Sequence, residues 1–371
     1  MPDPQLAESI AQLERRLREG PDDRETLLDL AAAYRQAGRL TDAAKLLASR
    51  LGNGQPDWEL CRGCIECWRE AGKMEEAVGI LNRSASLYRD RAEFWLLRGQ
   101  VLEQMGDWEG ALREHLLAEG IAPHMAEAHY RRGIALMHLH RGTEAIDAFR
   151  QALRLRPRLV QAQVNIGLVL EAEGRGREAM EALQRALAID PQCAEAHLNL
   201  GVLLAEGGQL DAALEHFERA LTLAPDSSEA AYNAGVVLAD REPDRALRYL
   251  RQAVANDPHN LDAYQRMGAI AQQRGLWEAA AGYFRKVVEG DPDRLEVMLT
   301  LGLCCSKAER PDEAIEALRA VVARKPDHAE AWYHLGVCYD KEGDFAKARE
   351  AYRQARAHGR GAGTPGGGGA S

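Results

Sequence analysis

The sequence predicts an all-α fold of about ten helix-turn-helix repeats, and three observations predict it. A small residue recurs at a period of 34 residues, at Ala31, Gly99, Gly133, Gly167, Gly201, Gly235, Gly268, Gly302 and Gly336, with Ile65 the one large exception. An alanine follows in the second half of every repeat, at Ala43, Ala77, Ala111, Ala145, Ala179, Ala213, Ala246, Ala280, Ala314 and Ala348. A proline then closes the repeat at Pro123, Pro157, Pro191, Pro225, Pro258, Pro292 and Pro326. The clearest copy spans 194–225. Its first half carries Leu200, Gly201 and Leu204, and its second Ala213, Phe217 and Ala220, at the i, i+3, i+4 spacing of two amphipathic helices. One such pair cannot bury its apolar face alone and needs neighbours on both sides.

This period, with small residues at these offsets and a closing proline, resembles the tetratricopeptide repeat (TPR) family. The resemblance runs from about Arg24 to about His358 as ten repeats and implies a right-handed TPR solenoid, or superhelix.

In chain order, residues 1–23 read as a half repeat. Leu6, Ile10, Leu13 and Leu17 form one helical stripe that ends at Gly20-Pro21, as a helix capping the first full repeat would. Ten repeats occupy 24–358, beginning at Arg24, Trp58, Ala92, Ala126, Val160, Ala194, Ser228, Leu261, Leu295 and Ala329. The seventh is one residue short, and Asp240-Arg241-Glu242-Pro243-Asp244 replaces the glycine turn found elsewhere. Pro243 suits the first turn of a helix, where its missing N–H costs nothing, and Pro311 does the same in the ninth repeat. Residues 359–371, GRGAGTPGGGGAS, have no periodicity and little apolar surface, and read as a disordered Gly-rich tail.

Composition narrows the function. A formal charge of −10 and a pI near 5.7 argue against nucleic acid or an anionic membrane as partner. The N-terminus lacks the apolar stretch of a signal peptide, and no apolar run is long enough to insert in a membrane. Seven cysteines, an odd number scattered through helices, suit a reducing cytoplasm better than a disulfide framework. No G-x-S-x-G, H-E-x-x-H or phosphate-binding loop is present, so no catalysis and no cofactor are expected.

In TPR proteins the first helices line a concave face that serves as the ligand groove. At the sixth position of each first helix the middle of this chain reads Arg131, Asn165, Asn199, Asn233, Arg266, and beside them lie Tyr130, Val164, Leu198 and Tyr232. The expected result is an apolar floor under a row of amides, bounded by two arginines. An amide offers both a donor and an acceptor, as an extended peptide backbone requires. The row is similar to the asparagine ladder in the TPR arm of O-linked N-acetylglucosamine transferases, although the repeats here leave no room for that family's catalytic part. Equally, asparagine at this position can serve only to bond neighbouring repeats. The carboxylate clamp of chaperone-binding TPR proteins needs lysines that the middle repeats lack, but an arginine alone can hold a carboxylate.

Cys61, Cys64 and Cys67 fall at i, i+3, i+6 on one side of a helix, within reach of a shared metal. No fourth cysteine lies before Cys193, and Cys61 and Cys64 occupy positions that other repeats fill with core residues, so packing as small hydrophobes is the competing account. Acidic residues near the start of most first helices fit the positive end of the helix dipole. His138 and His140 flank a turn with no carboxylate partner evident and read as solvated. The sequence thus points to a non-catalytic, cytoplasmic protein-interaction scaffold that binds an extended polypeptide. The alternatives are an accessory subunit delivering substrates to a separate transferase or secretion machine, and a metal or redox protein built on the three cysteines.

Overall fold

The structure, a computed structural model, describes residues 4–20, 23–51 and 57–359. Among the described residues it contains α-helices and no strand. The chain divides into two compact units, Met1–Pro191 and Gln192–Ser371. In the first, α1 (Pro4–Glu19) precedes five helical pairs: α2 (Arg24–Gln36) with α3 (Leu40–Ala48), α4 (Trp58–Glu70) with α5 (Met74–Ser84), α6 (Ala92–Gln104) with α7 (Trp108–Ile121), α8 (Ala126–His138) with α9 (Gly142–Leu155), and α10 (Val160–Ala172) with α11 (Gly176–Ile189). The second holds five more: α12 (Ala194–Glu206) with α13 (Leu210–Leu223), α14 (Ser228–Leu238) with α15 (Pro243–Asn256), α16 (Leu261–Gln273) with α17 (Trp277–Gly290), α18 (Leu295–Lys307) with α19 (Pro311–Arg324), and α20 (Ala329–Glu342) with α21 (Phe345–Gly359). The tail expected over 359–371 lies outside the described residues, apart from Gly359 at the end of α21.

Each pair closes on one contact. An added Cβ on Gly133 would stand 2.5 Å from the Phe149 ring, one on Gly201 2.6 Å from Phe217, and one on Gly268 2.7 Å from Phe284. Leucine fills the same place opposite Gly167, Gly235 and Gly302, through Leu183, Leu250 and Leu318. A large second-helix side chain therefore seats directly on first-helix backbone, which only a very small residue permits. In the second pair Ile65 and Leu81 are both fully buried instead.

The ends of the helices follow from local chemistry. Residues preceding the closing prolines leave the helical region: Ala122 has φ −130° and ψ 77°, Arg156 φ −135° and ψ 86°, Lys325 φ −129° and ψ 84°. A following proline ring disfavours the α conformation and so stops the seven second helices from α7 to α19. Within every pair but α14–α15 the turn takes one left-handed residue, such as Gly208 at φ 75°, and His140 (φ 56°) and Glu309 (φ 58°) adopt it without glycine. Pro243 opens α15 and Pro311 opens α19, and α14 is 11 residues long where α12 and α16 have 13.

Within each unit, neighbouring first helices also meet. In the first unit α4 lies against α6, α6 against α8 and α8 against α10; in the second α12 lies against α14 and α18 against α20. At the N-terminal end α1 lays Ile10 into the core with Leu27 and Leu30, with Leu6, Leu13 and Leu17 packed around it.

The pair contact sets a testable limit. Gly201→Val should destabilise the protein by about 1–3 kcal/mol, because the buried Phe217 ring must shift. Gly79→Ala, in α5 with open space around the new methyl, should stabilise by roughly 0.5–1 kcal/mol. Urea denaturation of the two variants beside the wild type checks both signs.

Candidate functional site

In Met1–Pro191 the candidate residues sit on α8 and α10. The Asn165 amide donates a 3.3 Å hydrogen bond to the Tyr130 hydroxyl, joining the two helices. Arg131 is held by carboxylates. Its Nε donates to Glu127 at 2.9 Å and its Nη1 to Glu103 at 3.1 Å. Glu103 also lies 2.8 Å from Nε2 of His115, a fully buried ring. Burial works against the Arg131 charge, but Glu103 and Glu127 outweigh it and hold the guanidinium above its ordinary pKa. Arg131 is thus an ion-paired group within its own unit, not the open anion site expected at one end of the row. Val164 is a second correction: its side chain is completely buried in the chain's own core and cannot floor a groove.

In Gln192–Ser371 the corresponding residues behave differently. Asn199 on α12 and Asn233 on α14 are half-buried, and among the described residues neither side-chain amide has a hydrogen-bond partner. Leu198 and Tyr232 pack one side against the core while remaining partly accessible. Arg266 on α16 is exposed and, among the described residues, has no ion pair or hydrogen bond. Asp262, one turn earlier, does not neutralise it, because Asp262 accepts from Arg294 at 2.8 Å. This unit therefore presents two open amides, two partly exposed apolar side chains and one open guanidinium on its first helices. Such a set can bond both edges of a peptide unit and hold a carboxylate.

The three cysteines of α4 are in the core. Cys61, Cys64 and Cys67 have no exposed surface, and they cluster with Leu27, Ala44, Leu47 and Ile65. Cys64 Sγ donates to the Ala44 carbonyl at 3.4 Å and Cys61 Sγ to the Ser84 hydroxyl at 3.5 Å. Burial pushes the Cys64 thiol up to about 12 and the Cys67 thiol to about 11, and raises Cys61 as well, which opposes the thiolate a metal requires. Among the described residues no group of three or more His, Cys, Asp or Glu is placed to hold a metal ion.

Several polar contacts had little signal in the sequence. Glu119 accepts from Arg132 at 2.7 Å and stands 3.3 Å from His129, Arg98 pairs with Glu114 at 3.4 Å, and His138 stacks on Trp108 with ring centroids 3.7 Å apart. In α12 and α13, His197 Nδ1 and His216 Nδ1 are 2.8 Å apart. Burial, with His197 beside it, lowers the His216 pKa. Each joins helices that the 34-residue period places side by side, but nothing in the period itself selects these partners. Among the described residues no helix is long and apolar enough to cross a membrane.

Sequence profiles of the tetratricopeptide repeat match nearly all of the helical region. One matches residues 5–56, 68–124, 164–228 and 306–363, more than half of the chain; a second matches 126–159, and a third 237–294 and 271–324. The chain belongs to the tetratricopeptide repeat family. Among solved structures, YrrB, a TPR protein with an unusual peptide-binding site, is 28% identical; the match covers 49% of this chain and 95% of that one, with a TM-score of 0.40. MamA is 25% identical over 44% of this chain and 96% of its own, with a TM-score of 0.41. Pseudomonas aeruginosa pilF is 20% identical over 56% and 94%, with a TM-score of 0.49. No curated protein matches the chain significantly.

Burial makes a prediction for the cysteines. With Cys64 near 12 and Cys67 near 11, native protein at pH 8 should leave all three α4 thiols unmodified by iodoacetamide over an hour, and 6 M guanidinium should release them. Peptide mass mapping reads the result, and rapid native labelling of Cys64 would contradict the buried-thiol account.

Proposed function

We propose that this chain is a non-catalytic scaffold that binds an extended segment of another protein along its first helices. A TPR array is a protein-interaction module, and the finer reading rests on one observation. Asn199 and Asn233 are half-buried amides with no hydrogen-bond partner among the described residues. A structural asparagine in a packed helical array spends its amide on a neighbour, as Asn165 does on Tyr130. An amide left open on adjacent helices is available to peptide backbone, which every sequence carries. Leu198 and Tyr232 add apolar contact, and Arg266 selects an acidic side chain or a terminal carboxylate at that end. The three cysteines support this reading over a redox one, since their thiols are sequestered in the core.

Fluorescence anisotropy with a panel of labelled unstructured peptides, each made with a free and an amidated C terminus, tests the reading. Asn199→Ala/Asn233→Ala should weaken every unstructured peptide of the panel that binds by about tenfold, since each lost hydrogen bond contributes about 0.5–1.5 kcal/mol. Arg266→Gln should weaken only the acidic or free-carboxylate peptides. If the double asparagine variant keeps wild-type affinity and melts normally, the amides are structural and the proposal fails.

A further inference from the structure

The last helical pair, α20 and α21, carries a face that differs from its equivalents in the rest of Gln192–Ser371. In preceding pairs two second-helix positions pack apolar side chains toward the following first helix. Ala281 and Val288 do so on α17, and Ile315 and Val322 on α19, all within or against one core cluster. At the same offsets α21 carries Arg349 and Arg356. A further helix with the apolar face of the preceding ones would bury both guanidinium groups unpaired among apolar atoms, which is strongly unfavourable. An apolar helix therefore does not match this face.

Nor is it a plain solubilising cap. Phe345 is 68% exposed and Tyr333 52% exposed, among the most exposed large apolar side chains of the described residues. Tyr333 lies 5.8 Å from Tyr352, centroid to centroid, so the aromatic surface continues onto α21. Beside it is a cavity of about 530 Å³ lined by Asp340, Phe345, Arg349, Tyr352, Arg353 and Arg356. Its single carboxylate, on Asp340, accepts from the Tyr352 hydroxyl at 2.7 Å and is outnumbered by the three arginines of the lining. Among the described residues Arg349 and Arg356 have no ion pair or hydrogen bond, while Arg353 pairs with Glu350. An exposed aromatic surface flanked by open cations of one sign thus stands on a chain whose formal charge is −10. Residues 360–371 contain no acidic and no aromatic residue with which to match it.

We propose that the α20–α21 face docks an acidic amphipathic helix of a partner protein. The partner's apolar stripe covers Phe345, Tyr333 and Tyr352, and its carboxylates reach Arg349 and Arg356. A second copy of this chain docked through the same face fits poorly, since two such surfaces would oppose their arginines. The opposite end fits no better, because α1 exposes Arg15 and Arg16 without ion pairs among the described residues. Carboxylate recognition by guanidinium groups is directional, and aromatic anchors beside it supply contact area.

The probe is a fluorescein-labelled helical peptide with leucine at i, i+3, i+4 and i+7 and glutamate on the flanking positions, compared with its lysine counterpart. The wild type should bind the glutamate peptide and not the lysine peptide, with affinity falling as salt rises. Arg349→Glu/Arg356→Glu should weaken the glutamate peptide at least tenfold and gain the lysine peptide. Phe345→Ala should weaken the glutamate peptide without reversing the preference, and Asn199→Ala/Asn233→Ala should leave it unchanged. The substituted positions are exposed, and matching circular dichroism melts establish that the variants fold. Equal binding by the wild type and the charge-reversed protein, or no binding of the glutamate peptide by either, overturns the proposal. So does a concentration-dependent dimer in sedimentation that Phe345→Ala abolishes, which would assign the face to a second copy.

Discussion

The structure depends on a single repeated contact, a large second-helix side chain seated on the backbone of the first helix where a glycine leaves room. The contact fixes the distance and rotation of the two helices, and every other position in the repeat acquires its environment from that placement. It is intolerant of volume in one direction and permissive in another. The glycine side admits no Cβ without displacing a buried ring or leucine, whereas the opposing side accepts Phe149, Phe217, Leu183 or Leu250. The repeats can therefore differ in the seated side chain while keeping the same architecture.

One such difference reaches the candidate site. Opposite Gly99 the seated side chain is His115, whose ring would stand 2.2 Å from an added Cβ. An imidazole in a fully buried seat requires a polar partner, and Glu103 supplies it at 2.8 Å. Glu103 then needs compensation of its own and draws in Arg131 from α8 at 3.1 Å. The choice of a histidine in the pair contact of one repeat thus removes an arginine from the exposed face of the next. In Gln192–Ser371 the seats opposite Gly201, Gly235 and Gly268 are apolar, so no such chain of compensation starts, and Asn199, Asn233 and Arg266 remain open.

This explains how far the sequence could be read. The helical repeats were legible because glycine, alanine and proline act locally: a missing Cβ, a missing N–H and a pre-proline restriction all act within a few residues. The row of sixth positions was legible for the same reason. Its chemistry was not, because Arg131 and Arg266 look alike in sequence, each with an acid four residues before it, yet Glu103 and Glu127 hold the first while Asp262 is taken by Arg294 and leaves the second open. Val164 illustrates a subtler case. It shares its position with Leu198 and Tyr232, but it is fully buried while they are half-buried, and position in the repeat alone cannot separate burial at that scale. The cysteines of α4 were ambiguous until the core closed around them, since i, i+3, i+6 spacing describes a buried stripe as well as a ligand set.

The distribution of charge carries the argument one step further. Many cations of this acidic chain are spent on nearby carboxylates; Arg141 on Glu144 and Arg175 on Glu178 are examples, and such exposed pairs contribute little to stability. They nevertheless define the surface by exclusion, because a guanidinium already held by a carboxylate offers nothing to a ligand. Arg266 on the first-helix face and Arg349 with Arg356 on the last pair are not held in this way among the described residues, on a chain whose net charge is −10. An acidic partner of the kind proposed would approach against the overall field, which at physiological ionic strength decays over about 8 Å. Attraction takes over only within that distance, where a specific cation faces a specific carboxylate. On the reading proposed above, a chain so arranged would gain little from long-range steering and would discriminate acidic segments by the short-range fit of amide, aromatic and guanidinium groups.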